Sequence, residues 1–205
     1  MLKVTEYNLP DVELLNHPSH RFMTWIPRQN CIVLGASNRA EEALYAERVE
    51  QDAIPVLKRP SGGQTVMLTP GNLLVAVVFA EQTSLQPKVI FHYVNDLIIA
   101  AIAGSGIYGL ATRGISDISY GNRKISGSSI YRSRNTLLYH AVINVSESAS
   151  TFEKYLKHPS KEPDYRLGRS HSEFVTSLRE IGYPYDVLHL QSAINDSFER
   201  ELTEE

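Results

Sequence analysis

The stretch Asn122-Arg123-Lys124-Ile125-Ser126-Gly127-Ser128-Ser129 places a lysine immediately before a series of small residues. Gly121-Asn122 is a turn signal between two candidate strands, a pattern that predicts a hairpin with strands over 115–120 and 124–130. Small residues let a ligand approach the backbone, and a lysine supplies positive charge for a phosphate or a developing oxyanion. The stretch therefore predicts a strand that forms part of a site for an anionic ligand.

A second stretch, Lys58-Arg59-Pro60-Ser61-Gly62-Gly63-Gln64-Thr65-Val66, joins a basic pair to a glycine turn that opens a strand. One interpretation is a tight turn beside a solvated basic pair. The other is a nucleotide- or acyl-binding loop, in which glycine amides approach the ligand and Arg59 holds a carboxylate or phosphate. The stretch is not a P-loop, because it has no GxxxxGK[ST] pattern, and no GxGxxG motif follows a predicted strand.

The rest of the chain alternates between predicted strands and helices. Residues 73–79 form the strongest predicted strand, which carries no polar side chain and is expected to be buried on both faces. Further strands are predicted at 31–34, 54–57 and 137–145, and helices at 40–52, 89–104, 151–156, 172–181 and from 186 onward. We predict an α/β (α+β) fold with a mixed β-sheet flanked by helices, forming one domain over 1–205.

Composition narrows the class of protein. The chain has 205 residues, 42% hydrophobic and 21% charged, with a net charge of −3, which argues against broad nucleic-acid binding. The longest apolar window, 97–103, is far shorter than the roughly twenty residues that span a bilayer. The single cysteine, Cys31, excludes an internal disulfide. We expect a cytoplasmic protein that engages neither membranes nor nucleic acid, and no structural zinc, because His17, His20 and His92 lack metal-ligand spacing.

Four sequence elements, taken in order, resemble the lipoate-protein ligase family of the biotin and lipoate ligase superfamily, especially its small single-domain bacterial members. They are the basic glycine turn with a later Gly-Asn pair, an Asp followed by Lys-x-Ser-Gly-Ser, a downstream His, and a basic tyrosine-containing segment. In this chain they lie at Lys58–Gly63 with Gly71-Asn72, Ser116-Asp117 with Lys124–Ser128, His140, and Asp164–His171.

The resemblance implies ATP-dependent acyl transfer. Lipoate or octanoate would react with ATP and Mg²⁺ to give an acyl-adenylate, and the acyl group would pass to a lysine of a lipoyl-domain acceptor protein. Lys124 would be the catalytic residue, and Asp117 would contact adenine or position Lys124. The implied substrate- and adenylate-binding residues are Lys58, Arg59, Ser61, Gly62, Gly63, Gln64, Asn72, Asp117, Ser126, Gly127, Ser128 and His140. No protein-held metal is implied.

Three departures from the family pattern stand out. Gln64 replaces the third glycine of the turn, and Leu68-Thr69-Pro70 replaces a His-Asp pair. The amino-terminal helix of many members is absent or degenerate. We also expect no accessory carboxy-terminal domain, so a separate accessory protein could be required.

Alternatives remain open. Gln64-Thr65 and Pro70-Gly71 also resemble the octanoyltransferase branch, which transfers an acyl or lipoyl group without ATP through a cysteine nucleophile. Cys31 starts a predicted buried strand and is expected to be structural. A biotin ligase would require a Gly-Arg-Gly-Arg type of loop, whereas this chain has Lys58-Arg59-Pro60-Ser61-Gly62-Gly63 there. A non-catalytic lipoyl-binding paralogue would keep the pocket without the chemistry, but would not need Lys124 at a carbonyl.

The segment 161–172 carries two further hypotheses. Arg166 and Arg169, with Lys161 nearby, could lie on the rim of the site and meet an acidic acceptor. Ser170 or Ser172 is expected to cap the following helix rather than to serve in a hydrolase triad, since the chain has no Gly-x-Ser-x-Gly nucleophile elbow.

Overall fold

The computed structural model describes residues 2–15, 21–80, 86–132 and 136–202. Its strands are β1 (Val4–Glu6), β2 (Phe22–Trp25), β3 (Cys31–Leu34), β4 (Val56–Lys58), β5 (Val66–Leu68), β6 (Asn72–Ala80), β7 (Leu110–Arg113), β8 (Asp117–Tyr120), β9 (Arg123–Arg132) and β10 (Thr136–Asn144). Its α-helices are α1 (Ala40–Ala43), α2 (Ala46–Gln51), α3 (Pro87–Gly104), α4 (Ala149–Tyr155), α5 (His171–Phe174) and α6 (Val187–Leu202). Short 3₁₀ helices cover Pro10–Leu15, Asp164–Arg166 and Arg179–Ile181.

The larger sheet has six antiparallel strands in the order β2-β6-β10-β9-β8-β7. Helices α3 and α6 cover one face, where Leu73, Val75 and Val77 of β6 pack into a common core with Ile98 and Phe198. Residues 73–77 are all at most 4% exposed, which confirms the predicted burial of this strand on both faces up to Val77, whereas Val78 and Phe79 are only half-buried. The predicted hairpin at Gly121-Asn122 is also present, joining β8 to β9.

The smaller sheet has the order β1-β4-β3-β5, with β4 parallel to both neighbours and β5 antiparallel to β3. One face packs against α1, α2 and α4. The other face, with Val33 and Leu68, packs against Leu74 and Val142 of the larger sheet. The two sheets therefore face each other, and the polar cavity described below opens between them.

The predicted helix over 40–52 is interrupted in the structure. Leu44 leaves the helical conformation to bridge Leu156, and Tyr45 N–H donates to the Tyr155 carbonyl. Asn38 does not cap α1, because its side-chain oxygen instead accepts from Gly35 N–H and from the Thr65 hydroxyl. Tertiary pairing thus overrides the local helical preference.

The predicted helix over 172–181 is also wrong beyond its first turn. Ser170 does cap α5, forming a capping box with Glu173, as expected. After Phe174 the chain becomes extended, because Val175 bridges Lys124 and Thr176 N–H donates to the Lys124 carbonyl. This contact attaches the segment 164–176 to the lysine-bearing strand.

Candidate active site

A cavity of about 960 Å³ lies between the two sheets. Nine of the residues predicted for the site line it: Arg59, Gly63, Gln64, Asn72, Asp117, Lys124, Gly127, Ser128 and His140. Lys58, Ser61, Gly62 and Ser126 are not among its lining residues. Lys58 is exposed and donates to the Asn38 carbonyl, whereas Ser61 and Ser126 are 2% and 3% exposed.

One row of cross-strand neighbours organises the cavity. Leu74, Val142, Gly127 and Asp117 lie directly opposite one another on β6, β10, β9 and β8. With neighbouring strands about 4.8 Å apart, the row spans about 14 Å from Leu74 to Asp117. It begins with apolar side chains, passes a residue without a side chain and ends at a carboxylate, so it can accept a ligand with an apolar tail and a polar head.

An irregularity in the β8–β9 pairing puts Lys124 on the cavity face. Ser119 pairs with Lys124 and Ile118 pairs with Ser126, so Ile125 is an extra residue on β9. A β-bulge of this kind changes which face the following side chains occupy. Ile125 accordingly joins the hydrophobic core, while Lys124 shares the cavity with Gly127, although regular alternation would separate them.

The Lys124 ammonium is held by a short chain of polar groups. Its Nζ lies 2.6 Å from Asp117 Oδ1, and the Tyr165 hydroxyl donates to Asp117 Oδ2 at 2.9 Å. Burial, followed by the charge of Asp117, raises the pKa of Tyr165, which therefore remains a donor. The Lys124 side chain is 29% exposed and that of Asp117 is 9% exposed, so the cation is available to a ligand while its counter-ion is not.

Gly127 provides the space that this lysine occupies. A Cβ at position 127 would lie 2.6 Å from Lys124 Nζ and 2.7 Å from its Cε, closer than a Cβ atom approaches non-bonded atoms in proteins. The Lys-x-x-Gly spacing is thus a steric requirement of the site, because the lysine side chain folds back over the backbone of its own strand.

The basic glycine turn is held together by Arg59. This residue is 6% exposed, and its guanidinium donates to the carbonyls of Val33, Gly62 and Gln64 and to Ser61 Oγ. Burial lowers its pKa to about 10. Most of its hydrogen-bonding capacity is therefore used to shape the turn, and Arg59 borders the cavity as an organiser of the loop.

Asn72, like Arg59, stabilises the turn in which it lies. Its side-chain oxygen accepts from the Thr69 backbone N–H at 2.8 Å and from the Thr69 hydroxyl at 3.2 Å. Its amide donates to Asn144 at 3.3 Å. The Thr69-Pro70-Gly71-Asn72 turn, which replaces the family's His-Asp pair, is thus stabilised by its own polar side chains.

A chain of hydrogen-bonded polar groups runs along the cavity wall. The Tyr7 hydroxyl donates to Asp11, Asp11 Oδ2 lies 3.1 Å from His140 Nδ1, and His140 Nε2 lies 2.7 Å from Ser61 Oγ. The Ser129 hydroxyl donates to Ser61 Oγ at 3.2 Å. The site residues predicted from the sequence include none of Tyr7, Asp11 and Ser129. An aspartate within the apolar-rich segment Leu9–Leu15 was the available signal, since a buried carboxylate requires a partner.

The segment 161–171 contributes Tyr165 to the site but does not place Arg166 on the rim. Arg166 is 4% exposed, stacks over the Phe174 ring and donates from Nε to the Arg169 carbonyl. Arg169 in turn donates to the carbonyls of Arg166, Tyr165 and Asn122. Both arginines therefore brace the segment, and the predicted rim role of Arg166 is wrong.

Cys31 is buried among Val33, Leu57, Leu68 and Leu74 and does not line the cavity. Burial raises the pKa of its thiol to about 11, which disfavours the nucleophilic thiolate.

Within the described ranges, no three His, Cys, Asp or Glu side chains come together as a metal site. His17 and His20 lie outside those ranges. Over the same part of the chain, no helix has the length and apolar character that crossing a membrane requires.

The fold is shared with lipoate ligases. A structure of the bipartite lipoate protein ligase of Thermoplasma acidophilum and its E2 lipoyl domain aligns with a TM-score of 0.79 at 17% identity, covering 98% of this chain and 83% of that one. A crystal structure of lipoate-protein ligase A bound with ATP aligns with a TM-score of 0.77 at 18% identity, covering 99% and 84%. At these identities the likeness establishes a common fold, and the predicted fold class is confirmed.

Residues 3–199 match the lipoyl protein ligase A/B catalytic domain, so the chain belongs to this family. Lipoate-protein ligase A of Blochmanniella floridana is 28% identical over 138 residues, which are 65% of this chain and 39% of that relative. The chain spans less than half the length of the curated relatives it matches. The predicted family is confirmed.

Proposed function

We propose that the protein is an ATP-dependent lipoate-protein ligase, which activates lipoate or octanoate as the acyl-adenylate and transfers the acyl group to a lysine of a lipoyl-domain acceptor. The observation that carries the proposal is the Lys124 ammonium, held by Asp117 over Gly127 at the polar end of a cavity whose other end is apolar. A pocket for an acid with an apolar chain needs an apolar end for the chain and a polar end for the carboxyl group. The positive charge of Lys124 lies at the polar end, where the carboxyl group would react.

The apolar end suits the acyl chain. Val33, Leu68, Leu74 and Val142 line the cavity where the two sheets face each other. Leu74 lies two strand spacings, about 10 Å, from Gly127. An acyl chain lying along this row would bring its carboxyl group beside Lys124.

The polar end suits adenylation. An ammonium has three N–H donors, so with one directed at Asp117 the others can meet the acyl oxygen and the α-phosphate of MgATP. The carboxylate oxygen attacks the α-phosphorus, pyrophosphate leaves, and Lys124 stabilises negative charge on both groups. Removing one such preorganised contact typically costs about 3 kcal/mol, or more than a hundredfold in rate. Asp117 and Tyr165 keep the cation in place before substrate arrives.

The second half-reaction uses the same cation. The acceptor lysine amine attacks the acyl carbonyl, and Lys124 stabilises the oxyanion that forms there. We infer a lipoyl domain as acceptor because one structural neighbour is a bipartite ligase described with its E2 lipoyl domain. Because that neighbour is bipartite, we also infer that a separate accessory protein assists activation. Adding such a protein to the purified chain and measuring activation tests this inference.

The test is pyrophosphate release from the purified protein with MgATP and lipoate, octanoate, biotin or no acid. We expect release with lipoate or octanoate only, and a decrease of at least a hundredfold in Lys124→Ala, which keeps its fold because the side chain is partly exposed. Normal release in Lys124→Ala would contradict the central assignment.

Two alternatives give different results in that assay. A transferase acting without ATP would move octanoyl groups from a carrier thioester while releasing no pyrophosphate. A non-catalytic paralogue would bind lipoate, with no release and no transfer. The buried thiol of Cys31 speaks against the first alternative, and the preorganised Lys124 speaks against the second.

A further inference from the structure

His140 lines the cavity, yet both of its ring nitrogens face protein atoms. Nδ1 lies 3.1 Å from Asp11 Oδ2, and Nε2 lies 2.7 Å from Ser61 Oγ. Asp11 is 1% exposed and also accepts from the Tyr7 hydroxyl, at 2.8 and 2.9 Å to its two oxygens. Any proton exchange between His140 and a ligand must therefore pass through Ser61.

The directions of these hydrogen bonds follow from their partners. Arg59 Nε can only donate, so Ser61 Oγ accepts from it at 3.0 Å and also accepts from the Ser129 hydroxyl at 3.2 Å. With both lone pairs of Ser61 engaged, its hydroxyl hydrogen points to His140 Nε2. Nε2 is then the hydrogen-bond acceptor, and the N–H on Nδ1 is directed at Asp11. The chain runs in one direction, from Ser129 inward.

Ser129 lines the cavity, as His140 and Tyr7 do, and it is the end of this chain from which the hydrogen bonds run inward. It lies opposite His140 and two residues beyond Gly127 on β9, about 7 Å along the strand. The Lys124 ammonium lies over Gly127. An amine nitrogen about 3 Å from the carbon of a carbonyl held by Lys124 and about 3 Å from Ser129 Oγ would bridge this distance. Because the Ser129 hydroxyl donates to Ser61, its oxygen can accept an N–H from the cavity side.

We propose that Ser129, Ser61 and His140 form a proton relay that deprotonates the acceptor lysine amine during acyl transfer, with Asp11 as the positioning residue. This inference rests on the proposed ligase function. The amine nitrogen forms a bond to the acyl carbon, and the bond from that carbon to the phosphate oxygen breaks, its electron pair leaving with AMP.

The relay accepts the one proton that the attacking amine loses. The nitrogen releases one proton to Ser129 Oγ, Ser129 passes its own hydrogen to Ser61, and Ser61 passes its hydrogen to His140 Nε2. The resulting imidazolium is held by the Asp11 carboxylate until it returns its proton to solvent. Lys124 cannot take this part, because an ammonium has no lone pair. The competing proton acceptor is the phosphate of the departing AMP.

The experiment measures the two half-reactions separately. Adenylation is followed as pyrophosphate release with MgATP and octanoate. Transfer is followed in a single turnover, by mixing the enzyme-bound octanoyl-adenylate with the Thermoplasma acidophilum E2 lipoyl domain or with n-butylamine, in H₂O and in D₂O. For Ser129→Ala and His140→Gln we expect transfer to fall about a hundredfold or more, the usual contribution of general-base catalysis, and adenylation to fall less than tenfold.

Two variants separate the relay from a structural effect. Ser129→Thr keeps the hydroxyl and should restore transfer, together with the solvent isotope effect that Ser129→Ala removes. Ser197→Ala makes the same side-chain change at a buried position on α6 that does not line the cavity, and should leave both half-reactions unchanged. Asp11→Asn should lower the transfer rate constant without raising the KM for the lipoyl domain.

Each outcome decides between the proposals. If the wild-type protein forms no adenylate, the ligase proposal fails. If it forms the adenylate but transfers to neither amine, the transfer step of the ligase proposal fails, and the relay fails with it. If the wild type transfers and Ser129→Ala also transfers normally, the relay is wrong and the ligase proposal stands. Equal losses in both half-reactions for Ser129→Ala and His140→Gln would assign these groups to structure or binding.

Discussion

The substitution Gly127→Ala tests the geometry of the site without removing any functional group. Its Cβ would lie 2.6 Å from Lys124 Nζ, whereas ordinary contact begins at 3.4 Å, so the ammonium must move by about 0.8 Å. Displacements of about 1 Å in a catalytic group cost on the order of a hundredfold in rate, equivalent to about 2.7 kcal/mol. We therefore expect pyrophosphate release to fall about a hundredfold.

The fold should tolerate this change. The atoms that the new methyl group meets are the far end of a flexible lysine that is 29% exposed, so the side chain can swing toward solvent. We expect the free energy of unfolding to change by less than about 1 kcal/mol, which corresponds to about 2–4 °C in Tm. Gly104→Ala is the matched control, because a Cβ there meets nothing within 4 Å and the position lies at the end of α3.

A double-mutant cycle identifies the cause of the loss. If Gly127→Ala acts only by displacing Lys124, it should have no further effect on adenylation in a Lys124→Ala background. Near wild-type release by Gly127→Ala, or a full additional loss in that background, would refute the reasoning.

Four further substitutions test other parts of the structure. Tyr165→Phe removes the hydroxyl that donates to the Asp117 carboxylate and keeps the ring. The rate of pyrophosphate release should fall about tenfold, which is an increase of about 1.4 kcal/mol in the activation free energy. Unchanged release would show that Asp117 positions Lys124 unaided. Arg166→Ala removes a buried brace that stacks on Phe174, and should cost about 2 kcal/mol, or about 4–8 °C in Tm by calorimetry; an unchanged Tm would contradict the assigned bracing. Burial, with Arg166 nearby, lowers the pKa of His171 to about 4 from the ordinary 6.5. Between these two pH values the unfolded chain binds more protons at this position than the folded chain does. The free energy of unfolding should therefore fall, by up to about 3 kcal/mol, as the pH drops from 6.5 to 4. Urea denaturation should show a weaker pH dependence in His171→Gln than in the wild type, and equal slopes would argue against the shift. Cys31→Ala should leave acyl transfer within a few-fold of wild type, whereas its abolition in a folded protein would indicate thioester chemistry.

Much of the fold could be predicted because it depends on local patterns. Residues 73–79 are apolar and rich in β-branched side chains, and they form a central strand of the larger sheet. Gly121-Asn122 marks the hairpin, and Ser170 with Glu173 marks a helix start. The failures, at 40–52 and 172–181, are places where the backbone leaves a helix to pair with a segment distant in sequence.

The candidate site was predicted unevenly for the same reason. Lys124 and Gly127 follow from their spacing, and Asp117 pairs with this lysine through a strand that the hairpin brings alongside. The serines were harder to assign: Ser126, expected at the ligand, faces away from the cavity, whereas Ser129 lines it. One bulge changes which face each residue of β9 occupies, and a bulge leaves little trace in the sequence pattern.

The sequence by itself determined the family, the lysine with its small neighbours, the glycine turn and the main strands, because these are encoded by residue types within short windows. Tertiary structure alone decided that Asp11 meets His140 across 129 positions of sequence, and that Ser61 meets His140 across 79. It also turned Arg59 and Arg166 inward as braces. The physical reason is that a buried polar group takes whichever partners the packed sheets bring near it, and no local pattern specifies those partners.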